Sequence, residues 1–453
     1  MALKALRIGA GAGYAGDRIP PAVELAEKGQ LDYLVFECLA ERTIALAQLE
    51  KIQNPTRGFD PLLSARMKAV LPACMAHGTR IITNMGAANP LQAGKEVLAV
   101  AKALGLHQLK VAVVLGDDVL AILQTQYLSE SLMDSTHTVS DIQALLVSAN
   151  AYLGAEALLP ALQSDAHVII SGRVADPALF LAPLMHHFQW RADDWPLLGK
   201  GVMVGHLLEC AAQITGGYFA DPGYKDVPNL AQLGYPLAEV SANGDVVITK
   251  LADAGGCVTV QTCTEQLLYE IEDPTQYLQP DVVADFSKVK LLQVGPDRVQ
   301  AEGASGSTRP DTLKVSLGYR DGFVGEGQMS YAGPGAQARG QLALDLVRAR
   351  LADAGYGHFE ARYDLIGVNA ILGNTMPSHE PAEVRARIAV RVTTRAEAQY
   401  VANEVEALYT NGPASGGGAS KSVREVVAAT AMLMPRSAIQ TQTILLDGTA
   451  ELA

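Results

Sequence analysis

The stretch "GHLLECAAQITGG" places His206, Glu209, Cys210 and Gln213 at i, i+3, i+4 and i+7, on one face of a helix. Histidine titrates near neutrality, and a carboxylate one turn away orients the ring and favours its charged form. His206 and Glu209 can therefore work as a general acid/base pair. The same spacing is half of a metal site, but no Glu-x-x-His partner segment is visible, and no metal is expected. Packing is the competing use of this face, with a buried Cys210 and a hydrogen-bonded core histidine. As a nucleophile, Cys210 lacks nearby positive charge other than His206.

Two further carboxylates sit where apolar runs end. Glu37 closes "LDYLVFE", and because an unpaired buried carboxylate is costly it must meet a cation such as Arg18 or face a cleft. Asp17 lies in "RIGAGAGYAGDRIPP", where Gly11, Gly13 and Gly16 form G-x-G-x-x-G about twenty residues before Glu37, the spacing of a dinucleotide fingerprint. That fingerprint needs a helix directly after the third glycine to meet a pyrophosphate. Here Asp17 puts a carboxylate where phosphate should sit, and Pro20 and Pro21 delay the helix. The loop either is a tight turn with Asp17 capping the helix or presents Gly13, Asp17 and Arg18 to a substrate. No NAD, NADP or FAD binding is expected at submillimolar concentration, and no other cofactor is assigned.

Polar and cationic groups for holding a substrate follow. Arg173 and Asp176 come just after "HVIIS", where a guanidinium can bind a carboxylate through two hydrogen bonds or instead pair internally with Asp176. Asn84 and Asn89 flank the turn "MGAA" and are candidates for a substrate carbonyl. In "NGPASGGGASKSVREVV", Ser415, Gly417 and Lys421 surround the expected start of a helix, where free amides and an ammonium suit a carboxylate or a phosphate of coenzyme A. A G-x-S-x-G elbow and a P-loop are both missing.

The elements that position these groups can be read in outline. Five apolar runs, "ALRIGA", "LDYLVFE", "RIITNMG", "KVAVVLG" and "HVIISGR", alternate with helix-patterned segments such as "PLQAGKEVLAVAKALG". Apolar strands separated by helices predict an α/β fold with a mostly parallel sheet and flanking helices. Its ligand site belongs at the carboxyl ends of the strands, where the polar residues cluster. After "TGGYFADPGYKDVPNLAQLGYP" the pattern changes. Asn243-Gly244 between two β-forming runs predicts a hairpin, and strands then mix with the helices "GAQARGQLALDLVRARLADAG" and "RAEAQYVANEVEALYTN". The expected division is an α/β domain over residues 1–216 and an α+β domain over 217–453.

Composition narrows the function classes. The 453 residues carry a net charge of -13, without a basic stripe, which disfavours nucleic acid as a partner. No apolar run is long enough for a membrane helix, and "MALKALRIGAGAG" reaches its glycines too early for a signal peptide, so a cytoplasmic site is expected. Five scattered cysteines without a C-x-x-C pair predict reduced thiols.

Long stretches in order, from "GAGAGYAGDRIPPAVELAEKGQLDYLVFECLAERTIA" through "ITNMGAANP", "ISGRVADPALFLAPL" and "GGCVTVQTCTEQLLYEIEDPTQYLQPDV" to "NGPASGGGASKS", resemble the acyclic terpene utilisation A (AtuA) family. That resemblance implies a setting in catabolic gene clusters, including those for citronellol and geraniol, whose intermediates are branched acyl-CoA thioesters. Together with the residues, it leads to an expected hydratase- or lyase-type enzyme acting on a branched carboxylate or acyl-CoA, and to an expected homo-oligomer. Asp17, Glu37, His206 and Glu209 would do the acid/base work, with Arg18, Arg173 and Lys421 holding the anionic group. The alternatives are an NAD(P)-dependent oxidoreductase using the first glycine loop and a non-catalytic acyl-CoA-binding subunit.

Overall fold

A computed structural model describes residues 4–133, 135–373 and 380–447. Strands β1 (Leu6–Ala12), β2 (Tyr33–Phe36), β3 (Arg80–Thr83), β4 (Lys110–Leu115), β5 (Leu146–Ala151), β6 (Val168–Ser171), β7 (Pro236–Val240) and β8 (Val246–Lys250) are the first eight along the chain. Five of the apolar runs become parallel neighbours in the order β1-β2-β3-β6-β4, with Ile8 beside Tyr33 and Val111 beside Val168. Their side chains are almost all buried, as a sheet covered on both faces requires. β5 stands outside this sheet and pairs with the strand Thr312–Ala332.

The sheet is mixed, not mostly parallel. It has ten strands, because antiparallel additions extend both edges of the parallel centre. β7 pairs with β1 and turns back into β8 through 241–245, where Gly244 takes the positive φ that the Asn-Gly turn needs. The strands Arg298–Glu302 and Lys290–Gly295 continue outward from β8, and Gln442–Asp447 covers the free edge of β4. Covering an edge in this way removes unpaired backbone groups.

Two compact units result: one runs to Gly318 and resumes at Ala429, and the other is Tyr319–Ala428. The boundary expected near Gly216 lies inside the first. Residues 216–235 are a closed excursion and not a linker, since Thr215 Oγ1 donates to the Gly234 carbonyl at 2.7 Å and Cys257 N to the Thr215 carbonyl at 2.9 Å. The strands Glu360–Ile366, Glu383–Val392, Thr312–Ala332 and Gly417–Pro435 are neighbours in that order, and the second unit holds the first two with residues 319–332 and 417–428 of the others. Helices Ala336–Asp353 and Arg395–Glu406 pack on Glu383–Val392, giving an α+β unit.

Candidate active site

The carboxyl ends of β1, β2 and β6 open into a cleft of about 980 Å³ in the first unit. Asp17, Glu37, Glu41, Asp176, Glu209 and Glu270 line it together with Arg42, Arg173 and Lys314. The glycine loop forms one wall. Gly11 packs against the Phe36 ring, and a Cβ on Gly13 would lie 2.4 Å from the Cys210 carbonyl carbon. Gly13 is thus required by the close approach of the loop to the backbone at Cys210, whereas Gly16 faces only the movable end of the exposed Tyr14 side chain. Asp17 folds back, its Oδ2 accepting from Gly13 N at 2.7 Å, so it caps the turn and leaves the helix Pro20–Lys28 without a side-chain cap. That helix opens on two prolines, which have no amide hydrogens to offer an anion. The glycine pattern is therefore accounted for by protein contacts. Arg18 is exposed, donates to the Ala231 carbonyl at 3.2 Å and is not among the cleft-lining residues.

Beneath the loop lies a residue that sequence reasoning missed. Arg66, fully buried, donates to the carbonyls of Tyr14, Ala15 and Asp17 at 3.4, 2.9 and 3.3 Å and pairs with Asp60. Its signal was a charge on the helix stripe formed by Leu63, Met67 and Val70, all buried.

Glu37 faces the cleft and does not meet Arg18. Its Oε1 accepts from Leu39 N and from Asn84 Nδ2, both at 2.9 Å. Asn84 also accepts from Cys38 N at 2.8 Å; it is buried behind the wall and orients Glu37, and is not among the cleft-lining residues. Burial raises the Glu37 carboxyl well above the usual range, the Asp176 charge adds to this, and Arg173 opposes it. Asn89 is turned away, donating to Pro55 and Arg57 carbonyls.

Arg173 is 1% exposed, and its terminal nitrogens are already occupied by Asp176 and the Leu39 carbonyl. Its guanidinium carbon lies 4.1 Å from the centroid of the Tyr152 ring, and Tyr152 donates to Glu41, which also pairs with Lys314. The internal pair is thus the arrangement formed, within a chain that ends at Lys314 on the cleft wall. Asp117 fixes the start of the β6 loop by accepting from Arg173 N at 2.8 Å and Asn150 Nδ2 at 2.9 Å, and burial pushes its carboxyl up to about 6.

The helix Trp195–Leu208 ends at Glu209 and carries the pair read from the sequence. His206 Nδ1 lies 2.9 Å from Glu209 Oε1, and His206 Nε2 lies 3.2 Å from the Leu267 carbonyl. A carbonyl only accepts, so Nε2 carries hydrogen, and one further proton lies between Nδ1 and Oε1. Burial favours leaving it on the carboxyl, because a neutral pair avoids two desolvated charges. Burial accordingly pushes Glu209 up to about 7, with the His206 hydrogen bond opposing. Glu209 lines the cleft while Oε2 is buried without a protein partner. His206 stays behind it, packed against Tyr277 and Phe286 and not among the lining residues. Burial and the Glu209 charge raise the Cys210 thiol well above its usual range, which argues against a thiolate nucleophile.

Across residues 6–445 the chain matches the model of the acyclic terpene utilisation family protein AtuA. The chain belongs to the AtuA family. Family membership places it in acyclic terpene utilisation, and the match runs through the strand-end loops and the His206 helix alike. No curated protein matches this chain. Among solved structures, a homoserine dehydrogenase from Thiobacillus denitrificans is similar at 13% identity over 90% of this chain and 84% of that chain, with a TM-score of 0.16, too low to inform fold or activity. Among the described residues no group of side chains is arranged to hold a metal ion, and no helix is long and apolar enough to cross a membrane.

The late glycine loop differs from expectation. Gly417–Pro435 is a strand of the second unit, so no helix start surrounds Ser415, Gly417 and Lys421. Lys421 Nζ donates to Asn403 Oδ1 at 3.0 Å and pairs with Glu406 at 2.5 Å, both on the helix Arg395–Glu406, which neutralises it. Ser415 and Gly418 carry the positive φ angles of the turn.

Proposed function

We propose that this AtuA-family chain is a catabolic enzyme that acts on a branched carboxylate or its acyl-CoA thioester by proton transfer coupled to addition or elimination of water. One observation carries the reading: Glu209, whose carboxyl burial pushes up to about 7, lines the cleft with one oxygen on His206 and the other buried without a protein partner. An acid poised near neutrality can give a proton and take it back within one cycle.

In the eliminating direction the Glu209 carboxyl swings its Oε1–H from His206 to a substrate hydroxyl and protonates it as the C–O bond breaks, and the hydroxyl leaves as water. The electrons come from the adjacent C–H bond, whose proton passes to Glu37 or Asp17 on the strand-end loops. His206 touches no substrate and acts as a positioning residue, holding Glu209 at Oε1. Arg42 is the cation at the cleft that can face the carboxylate or thioester, while Lys314 pairs with Glu41 and Arg173 is held by Asp176 and Leu39.

The test is incubation of the purified protein in deuterium oxide with α,β-unsaturated, methyl-branched acids and their CoA thioesters, followed by mass spectrometry. Gain of one water mass, or carbon-bound deuterium, supports the reading. Recovery of every compound unchanged and unlabelled, with tight binding, would make the chain an acyl-CoA-binding protein.

A further inference from the structure

Beside the acid-lined cleft is a second cavity of about 280 Å³, and the two share Gln213, Gly217, Tyr218 and Tyr269. The shared residues join two compartments of different character. The cleft is rich in carboxylates, whereas Phe219 and Leu268 bring apolar surface to the annex. Its acid, Glu265, is paired with Lys225, whose ammonium also lies 4.9 Å from the Phe219 ring centroid.

The backbone at this seam is strained. Tyr218 and Glu270 have φ of 59° and 58°, and Ala211, next to Cys210, has 40°. Non-glycine residues persist in the left-handed region only where their surroundings over-determine them, and they cluster at ligand clamps. Tyr218 stands in solvent at 93% exposure, and Leu268 is 60% exposed at the same cavity. Large apolar side chains kept in water around a concavity mark a site that an apolar group covers.

We propose that the annex binds the hydrocarbon tail of an amphipathic ligand whose carboxylate or thioester end occupies the cleft beside Glu209. The inference rests on the reading of the cleft given above and adds the substrate's other end: an alkyl chain of medium length. The volume has room for on the order of nine groups the size of a water or methylene, at about 30 Å³ each. A tail of two or three carbons would leave most of that surface exposed, and a much longer one would project past Tyr218 into solvent.

Calorimetric titration of the full chain with 3,7-dimethyloctanoate, 3-methylbutanoate and the CoA thioesters of both tests this. Leu268→Asp should weaken the ten-carbon ligand about tenfold or more while changing its five-carbon counterpart less than about twofold, since each methylene denied an apolar site loses affinity separately. Phe219→Ala should give the same discrimination. Equal losses for both chain lengths, or no loss for either, would overturn the tail site while leaving the acid/base reading of the cleft intact. Failure of all four ligands to bind would overturn both.

Discussion

His206 Nδ1 and Glu209 Oε1 lie 2.9 Å apart, and the opposite ring nitrogen is committed to the Leu267 carbonyl at 3.2 Å. The imidazole is therefore fixed in one tautomer and presents a bare nitrogen to the carboxyl. Two residues that share a proton in this way should behave as one unit. Once a substrate is in hand, His206→Gln and Glu209→Gln should each lower kcat by about 100-fold or more, and the double variant should be little worse than the weaker single. Additive losses would separate the two. His206→Phe should also shift the Glu209 titration, because it removes the hydrogen bond at Oε1; an unmoved pH profile would reduce His206 to packing.

Stability should fall as pH rises through neutrality. Burial raises the carboxyls of Glu209 to about 7 and of Asp117 and Asp281 to about 6. A group whose folded pKa lies above its unfolded value contributes its full stabilisation below the unfolded pKa and loses it as pH climbs through the folded one. The window runs from the ordinary values of 3.8 and 4.5 up to about 7, and Glu209 alone contributes up to about 3 kcal/mol across it. Urea denaturation should give a lower unfolding free energy at the top of this window than at the bottom, with a shallower slope in Glu209→Gln. A slope of the opposite sign would contradict the assigned burial.

Gly13→Ala tests what the first glycine loop is for. The added Cβ meets backbone atoms of Cys210 and Ala211, which cannot swing away like a side-chain end. A cost of about 1–3 kcal/mol in thermal or denaturant stability is expected. Unchanged stability accompanied by loss of dinucleotide binding would instead restore the nucleotide reading.

Arg173 and Lys421 should respond in opposite ways. Arg173→Met leaves Asp176 without its partner and the Leu39 carbonyl without its donor, and should cost roughly 3 kcal/mol, as breaking a buried pair does. Lys421→Ala removes a half-exposed pair with Glu406 and should change stability by less than about 1 kcal/mol. Neither should alter ligand affinity in the folded protein by more than about twofold. A large affinity loss from Lys421→Ala with unchanged stability would return an anion site to the late glycine loop.

Legibility followed the range of the interactions. The central parallel strands were visible because each is an unbroken apolar run, and the His206–Glu209 pair because its spacing is local. Glu37 stood out as an acid ending such a run. Tyr152, Tyr277 and Lys314 reach the same cleft from distant segments and share no pattern with it. The antiparallel additions to the large sheet are not legible in sequence, because a hairpin such as β7–β8 can join any free edge, and the edge it joins is a tertiary property. Residues after Gly417 read as helix because "SKSVREVVAATAM" also fits a helical face. Pairing with the strand Thr312–Ala332 decides for β, as tertiary context often does over propensity.

Glu209 carries a proton near neutrality at the cleft wall. Infrared difference spectroscopy of wild type against Glu209→Gln, titrated with pH, measures that directly. The account predicts a protonated-carboxyl band, absent from the variant, that disappears with a midpoint near pH 7. A band that has already vanished by about pH 5, as for an ordinary glutamate, would contradict it.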